Sequence, residues 1–255
     1  MLHWEKASYL GRGIATMSRT VLLADDDPDI VELLRMFLET ENLQVLEARN
    51  GAEAWRHICE QKIDLAVIDI MMPEMDGIRL LKQLRAEYTI PVIFISAKNQ
   101  DSDKILGLQL GADDFIAKPF NPLEVVARVQ AMLRRTYEFN DPAAEEPKEH
   151  VEPTIIGPLK LDHQDCMLYK EDHEIPLTAI EYNLLRTLMG APGRVWTKRQ
   201  LFEQVWDDDY FEDANTIMVH MSRLREKIED NPRQPVFIRT IRGLGYKFAR
   251  KDEFR

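Results

Sequence analysis

Five side chains carry the first chemical suggestion in this sequence. Asp25 and Asp26 follow the apolar run from Thr20 to Ala24, Asp69 closes a run from Leu65, and Ser96 closes one from Val92. Lys118 follows a fourth run that starts at Phe115. Hard carboxylate oxygens converging on one pocket suit Mg2+, which keeps several waters and takes few protein carboxylates. A hydroxyl and a fixed ammonium across the same crevice complete a site for a phosphoryl group. In it Asp69 attacks, Mg2+ and Lys118 neutralise the equatorial oxygens, and Ser96 donates a hydrogen bond. Taken singly, the residues have plainer readings: a solvated acidic turn for Asp25 and Asp26, a surface lysine for Lys118, a helix cap for Asp27.

Strands and helices in alternation would have to position these groups. Short apolar runs at 20–24, 44–48, 65–69, 92–96 and 115–117 read as strands buried in a parallel sheet. Asp27-Pro28 reads as an N-cap followed by Pro at N1, opening a helix with Ile30, Leu33, Leu34, Phe37 and Leu38 on one face. Further helices fit 51–60, 76–87, 101–110 and 121–135. The pattern predicts an α/β, doubly wound (βα)5 domain, in which a site forms beyond the carboxyl ends of the strands. The five side chains are at those ends.

Periodicity breaks over 137–152, where two prolines and six acids predict an extended acidic linker. Beyond it come strand-like stretches at 154–161, 165–169 and 173–177, and helices from Thr178, over 198–206 and over 215–229. A hairpin over 236–248, turning at Arg242 to Gly245, closes the pattern as a winged helix-turn-helix. The domains are thus expected at 17–136 and 153–252. The 255 residues carry a net charge of -11, which on its face argues against a nucleic-acid partner. Its distribution is uneven: residues 1–152 carry -10, 153–255 carry -1, and the last 41 residues carry +5. Polyanion binding, if present, belongs to the C-terminal end. No apolar run reaches the roughly 18–20 residues of a membrane span, and no signal-peptide core precedes Met17, so a cytoplasmic chain with no membrane partner is expected. Cys59 and Cys166 read as reduced packing thiols.

The segments VLLADDDP, DLAVIDIMMPEMDG, PVIFISAK and GADDFIAKPF, in this order and spacing, resemble the receiver of two-component response regulators of the OmpR/PhoB family. The resemblance extends from residue 20 to about 250. It implies a phosphorylation-controlled transcription regulator rather than a turnover enzyme, taking its phosphoryl group from a sensor histidine kinase. It implies Asp69 as phosphoacceptor, Mg2+ on Asp25, Asp26, Asp69 and the main-chain carbonyl of Met71, and a cis peptide before Pro119. Ser96 and Lys118 would sense the phosphoryl group, small Ala97 would leave it accessible, and Phe115 would fill the space that Ser96 vacates. Many relatives have Tyr there; Phe rests any such switch on packing alone. The 101–135 surface offers Lys104, Asp113, Asp114 and Arg128, which the resemblance implies pair across a two-fold homodimer of the phosphorylated protein.

The segments LTAIEYNLLRTLMGAPGRVWTKRQLFEQVW, NTIMVHMSRLREKIE and FIRTIRGLGYKF resemble the family's winged helix. The helix over 215–229 would enter the major groove of double-stranded promoter DNA, with Ile217, Val219, Met221, Leu224 and Ile228 mostly on its core side. Asn215, His220, Ser222, Arg223, Arg225 and Lys227 remain for DNA. Arg223 suits a guanine edge, Arg225, Lys227 and Thr240 suit phosphate, and Arg242 suits the minor groove. His220 fits a satisfied helix histidine equally well. The acidic 207–213 segment occupies the loop that relatives turn toward RNA polymerase. Residues 1–16 read as a non-native or disordered extension ahead of a start at Met17, since Gly11-Arg12-Gly13 suits a translated ribosome-binding site. Two other readings compete. A phosphatase using Asp69 would want an acid two residues on, where Met71 stands. A receiver working without phosphorylation is disfavoured by the intact site.

Overall fold

The computed structural model describes residues 18–97, 107–137, 152–206 and 214–254. Its first unit is a five-stranded parallel sheet in the order β2-β1-β3-β4-β5. The strands are β1 (Thr20–Ala24), β2 (Gln44–Ala48), β3 (Leu65–Asp69), β4 (Val92–Ser96) and β5 (Asp114–Ala117). β1 and β3 are neighbours, with Ala24 paired to Ile68, so the residues that follow them emerge side by side. Three helices precede β4: α1 (Pro28–Thr40), α2 (Gly51–Glu60) and α3 (Gly77–Glu87). Residues 107–110 are helical, and α4 (Pro122–Tyr137) follows β5.

Alternation along each strand sorts the core into two faces. Val21, Leu23, Val67, Ile93, Ile95 and Ile116 pack with α1 and α4, while Leu22, Ala66, Ile68, Phe94 and Phe115 pack with α2 and α3. The helices begin where short polar side chains can take up orphan N–H groups: the Asp27 carboxylate accepts from Asp29, Asn50 from Glu53 and Asp76 from Arg79. Gly77 opens α3 because nothing larger fits: a Cβ there would stand 2.3 Å from the carbonyl oxygen of Asp69. That close approach fixes the loop behind Asp69.

The second unit opens with an antiparallel four-stranded sheet, β6 (Thr154–Ile156), β7 (Leu159–Asp162), β8 (Met167–Lys170) and β9 (His173–Ile175). The single strand expected over 154–161 is therefore a hairpin, because Gly157 at φ 59° and Pro158 reverse the chain. Three helices follow: α5 (Ala179–Met189), α6 (Lys198–Trp206) and α7 (Ala214–Ile228). The hairpin of β10 (Ile238–Ile241) and β11 (Gly245–Phe248) closes the unit. Gly245, at φ 151°, lets the hairpin lie against the chain at Trp196, whose carbonyl a Cβ would meet at 2.0 Å. The expected winged helix is present, with a preceding sheet that the strand-like stretches had left unassembled. The expected linker at 138–151 and the extension at 1–16 lie outside the described residues.

Candidate functional site

Because β1 and β3 are adjacent and parallel, Asp25, Asp26 and Asp69 converge: one carboxylate oxygen from each lies within 4.8 Å of the others. Asp25 and Asp69 are buried and Asp26 is exposed. Lys118, delivered from the end of β5 by a cis peptide to Pro119, donates to Asp25 Oδ2 and Asp69 Oδ2, each at 2.7 Å. The Asp27 N–H donates to Asp25 Oδ1 at 3.0 Å, and the Met71 N–H to Asp69 Oδ1 at 3.1 Å. The loops after both strands are thereby tied to the acids.

Burial pushes the Asp25 carboxyl above its ordinary range, against the Lys118 and Asp27 hydrogen bonds, while the neighbouring charge of Asp69 adds to the rise. For Lys118, burial alone would weaken the ammonium. Its bonds to Asp25 and Asp69 and their charges outweigh that, so it is held protonated above its usual value. Three carboxylates thus face one ammonium, and this excess of negative, hard oxygen charge beside an open edge at Asp26 fits Mg2+. Asp25, Asp26 and Asp69 would hold it.

Ser96 is fully buried at the end of β4, Ala97 beside it is exposed, and Phe115 is buried in β5. The chain therefore brings a hydroxyl, a small residue and an aromatic to the carboxyl edge shared with the acids. The Met71 side chain is exposed. Removing the central cation has a computable sign. Lys118→Met is expected to leave Asp25 and Asp69 as an uncompensated buried pair and to destabilise the first unit by about 3 kcal/mol or more. Millimolar Mg2+ should restore much of that loss, and thermal melts with and without the ion measure both effects.

The residues on the 107–135 surface are engaged within this chain. Asp113 is fully buried, its carboxylate accepting from Arg85 at 2.8 Å and from the Val92 N–H at 2.9 Å. Asp114 pairs with Arg128 at 2.9 Å, and Arg128 also meets Glu124 at 3.0 Å. Lys104 lies outside the described residues.

In the winged helix, Ser222, Thr240 and Arg242 are exposed. Arg225 donates to the Ile238 carbonyl at 2.8 Å and to Thr240 Oγ1 at 2.7 Å, tying α7 to the wing. Lys227 reaches the Pro176 carbonyl and Glu181, each at 2.7 Å. Arg223 is nearly buried and meets Glu181 at 3.1 Å, and His220 is fully buried against Trp206. The Asn215 side chain and the 207–213 loop lie outside the described residues. Val219, expected with the other apolar residues of α7, is placed differently. Ile217, Met221, Leu224 and Ile228 join the winged helix's own core, whereas Val219 joins the apolar cluster of the first unit.

Two residues that the sequence reading left aside prove central. Glu181, fully buried, completes a capping box with Thr178 and takes both Arg223 and Lys227. Thr178-x-x-Glu181 at a helix start was the available signal. Arg85 binds Asp113 and the carbonyls of Gly111 and Ile90. No local pattern marks it.

Residues 21–130 match the family model of the response regulator receiver domain, and residues 172–248 match that of the C-terminal domain of transcriptional regulatory proteins. Response regulator GtcR of Aneurinibacillus migulanus is 58% identical over 239 residues, spanning 93% of this chain and 98% of its own. The alkaline phosphatase synthesis transcriptional regulatory protein PhoP of Bacillus subtilis (strain 168) is 43% identical over 235 residues, spanning 91% and 97%. Among solved structures, a RitR mutant superposes with a TM-score of 0.72 at 24% identity, over 91% of this chain and all of that one, a likeness of fold. Among the described residues no helix is long and apolar enough to cross a membrane.

Proposed function

Since this chain belongs to the two-component response regulators that join a receiver to an OmpR/PhoB-type DNA-binding domain, we propose that phosphorylation of Asp69 by a sensor histidine kinase controls its binding to promoter DNA. The convergence of Asp25, Asp26, Asp69 and Lys118 carries this reading. An Asp69 oxygen attacks phosphorus as the bond to the donor's imidazole nitrogen breaks, leaving an acyl phosphate on the chain. Lys118, already protonated between the two buried acids, turns its charge to the new dianion. Bound Mg2+, held by Asp25, Asp26 and Asp69 with the Met71 main-chain carbonyl, supplies neutralisation of phosphoryl charge. Ser96 donates to the phosphoryl oxygens, and Phe115 occupies the space the hydroxyl leaves. A local charge change thereby biases a two-state surface.

The altered surface carries Asp113, Asp114, Arg128 and Lys104 into a two-fold homodimer, which sets two winged helices on tandem half-sites. Ser222, Arg223 and Arg225 of α7, with Asn215, His220 and Lys227, face the major groove and its phosphates. Thr240 and Arg242 place the wing, and the 207–213 loop is offered to RNA polymerase. The test is titration of duplex promoter DNA with the full chain, with and without a small-molecule phosphodonor and Mg2+. Tighter binding and a monomer-to-dimer shift only when both are present are expected. Affinity and mass unchanged by either would overturn the reading.

A further inference from the structure

The face of α7 that the proposed function turns to DNA is buried, and what buries it is the receiver. Val219 is only 5% exposed and belongs to the receiver's apolar cluster, with Leu108, Ala112 and Phe115. His220, one residue on, is fully buried; its ring lies against the Asp113 backbone, and neither ring nitrogen has a hydrogen-bond partner among the described residues. Arg223, a further turn along, and the Thr178 hydroxyl face the Asp113 carboxylate. Beside this contact, a cavity of about 260 Å³ is walled by Asp114, Arg128, Arg135 and other residues of α4 on one side and by Trp206 on the other. The receiver surface that would dimerise and the helix that would read DNA therefore cover each other.

We propose that the receiver patch around Ala112, Asp113 and Phe115 is a docking site for α7 of the same chain, so that a closed monomer competes with both DNA binding and receiver dimerisation. The inference rests on the proposed function only for what α7 and the receiver surface do when released. Three features make the contact specific rather than incidental. Asp113 supplies fixed negative charge toward Arg223, locked in place by Arg85. Val219 supplies an apolar plug with no place in its own domain's core. Phe115, which the proposed function makes the moving aromatic, sits in the same cluster as that plug. Repacking of Phe115 on phosphorylation would thus act directly on the seat of Val219, giving the receiver a route to α7 that requires no relay through the linker. The closed state also imposes a population penalty: apparent DNA affinity falls by the fraction of molecules that are open.

Val219→Asn in the full chain tests this, because Val219 is absent from the winged helix's own core and carries no proposed DNA contact. Hydrogen exchange and small-angle scattering of the unphosphorylated protein read docking without reference to DNA. The variant is expected to exchange faster over residues 108–116 and to show a larger radius of gyration. Its DNA affinity without phosphodonor should rise by about tenfold if roughly one wild-type molecule in ten is open. A folded variant with wild-type exchange and dimensions would overturn the proposal. If the variant fails to fold, wild-type protein saturated with duplex DNA gives the second measurement: residues 108–116 must lose protection as α7 leaves them, and unchanged protection overturns the proposal. Failure of the DNA-reading role itself would appear differently, as no DNA binding by any form while the exchange and scattering difference persists.

Discussion

Asp69→Ala is expected to abolish phosphoryl acceptance while leaving the protein folded. The carboxylate lost is the one nucleophile positioned between Asp25, Lys118 and the buried Ser96 hydroxyl. Removing a nucleophile of this kind costs more than about a thousandfold in rate. Intact mass after incubation with a small-molecule phosphodonor and Mg2+ should show one phosphoryl adduct on the wild type and none on the variant. Folding should survive because Lys118 keeps Asp25 at 2.7 Å, so its buried ammonium is not left unpaired. The Met71 N–H loses its acceptor, which costs on the order of 1 kcal/mol. The variant's DNA affinity and oligomeric state should also stop responding to the phosphodonor. An adduct of equal yield on Asp69→Ala would place the acceptor elsewhere and remove the site from the mechanism.

Much of this site can be read from the chain because parallel strands buried on both faces leave continuous apolar runs, and the acids stand directly after them. Leu65 to Asp69 and Val92 to Ser96 are strands with the bounds their runs suggest, and the Asp27 cap with Pro28 marks α1 to the residue. The sheet of β6–β9 was less visible, since its turns use Cys166, Glu171 and Asp172 at positive φ, residue types that signal no turn. Val219 shows a deeper limit. Its spacing from Ile217, Met221 and Leu224 places it on an apolar side of α7, but periodicity reports that a residue is buried, not against which domain. Asp114 and Arg128 show the same limit for charge: complementary signs can be recognised in sequence, while the pairing within one chain at 2.9 Å is a fact of geometry.

Glu181→Ala is expected to destabilise the winged helix by about 3–5 kcal/mol, a large share of a typical domain's 5–15 kcal/mol, because it strands Arg223 and Lys227 beside an emptied buried position. It also removes the acceptor for the Thr178 N–H. Urea unfolding followed by the fluorescence of Trp196 and Trp206 should show the shift. Acid should act on the same cluster with a defined sign. Burial alone would raise the Glu181 carboxyl, but Arg223, Lys227 and the Thr178 N–H hold it below its ordinary range. A depressed acid contributes stability that is full above its unfolded value, about 4.3, and lost as pH falls. His220 acts earlier. Burial, aided by Arg223, pushes its imidazole down to about 3, against the opposing influence of Glu181 and the Asp113 backbone, with Arg85 also facing it. Its unfolded value lies near 6.5, so the folded state binds fewer protons between about 6.5 and 3, and stability there falls by up to about 1.4 kcal/mol per pH unit. In the receiver, Asp25 and Asp113 have carboxyls raised chiefly by burial, which has the opposite sign and offsets acid loss. The Trp196 and Trp206 signal should therefore be lost before the receiver unfolds, beginning below about pH 6.5 and steepening near 4.3 as Glu181 joins. In Glu181→Ala the steepening should vanish while the earlier slope remains. A wild-type profile flat between pH 6.5 and 4.5 would show that His220 is not held neutral in the fold.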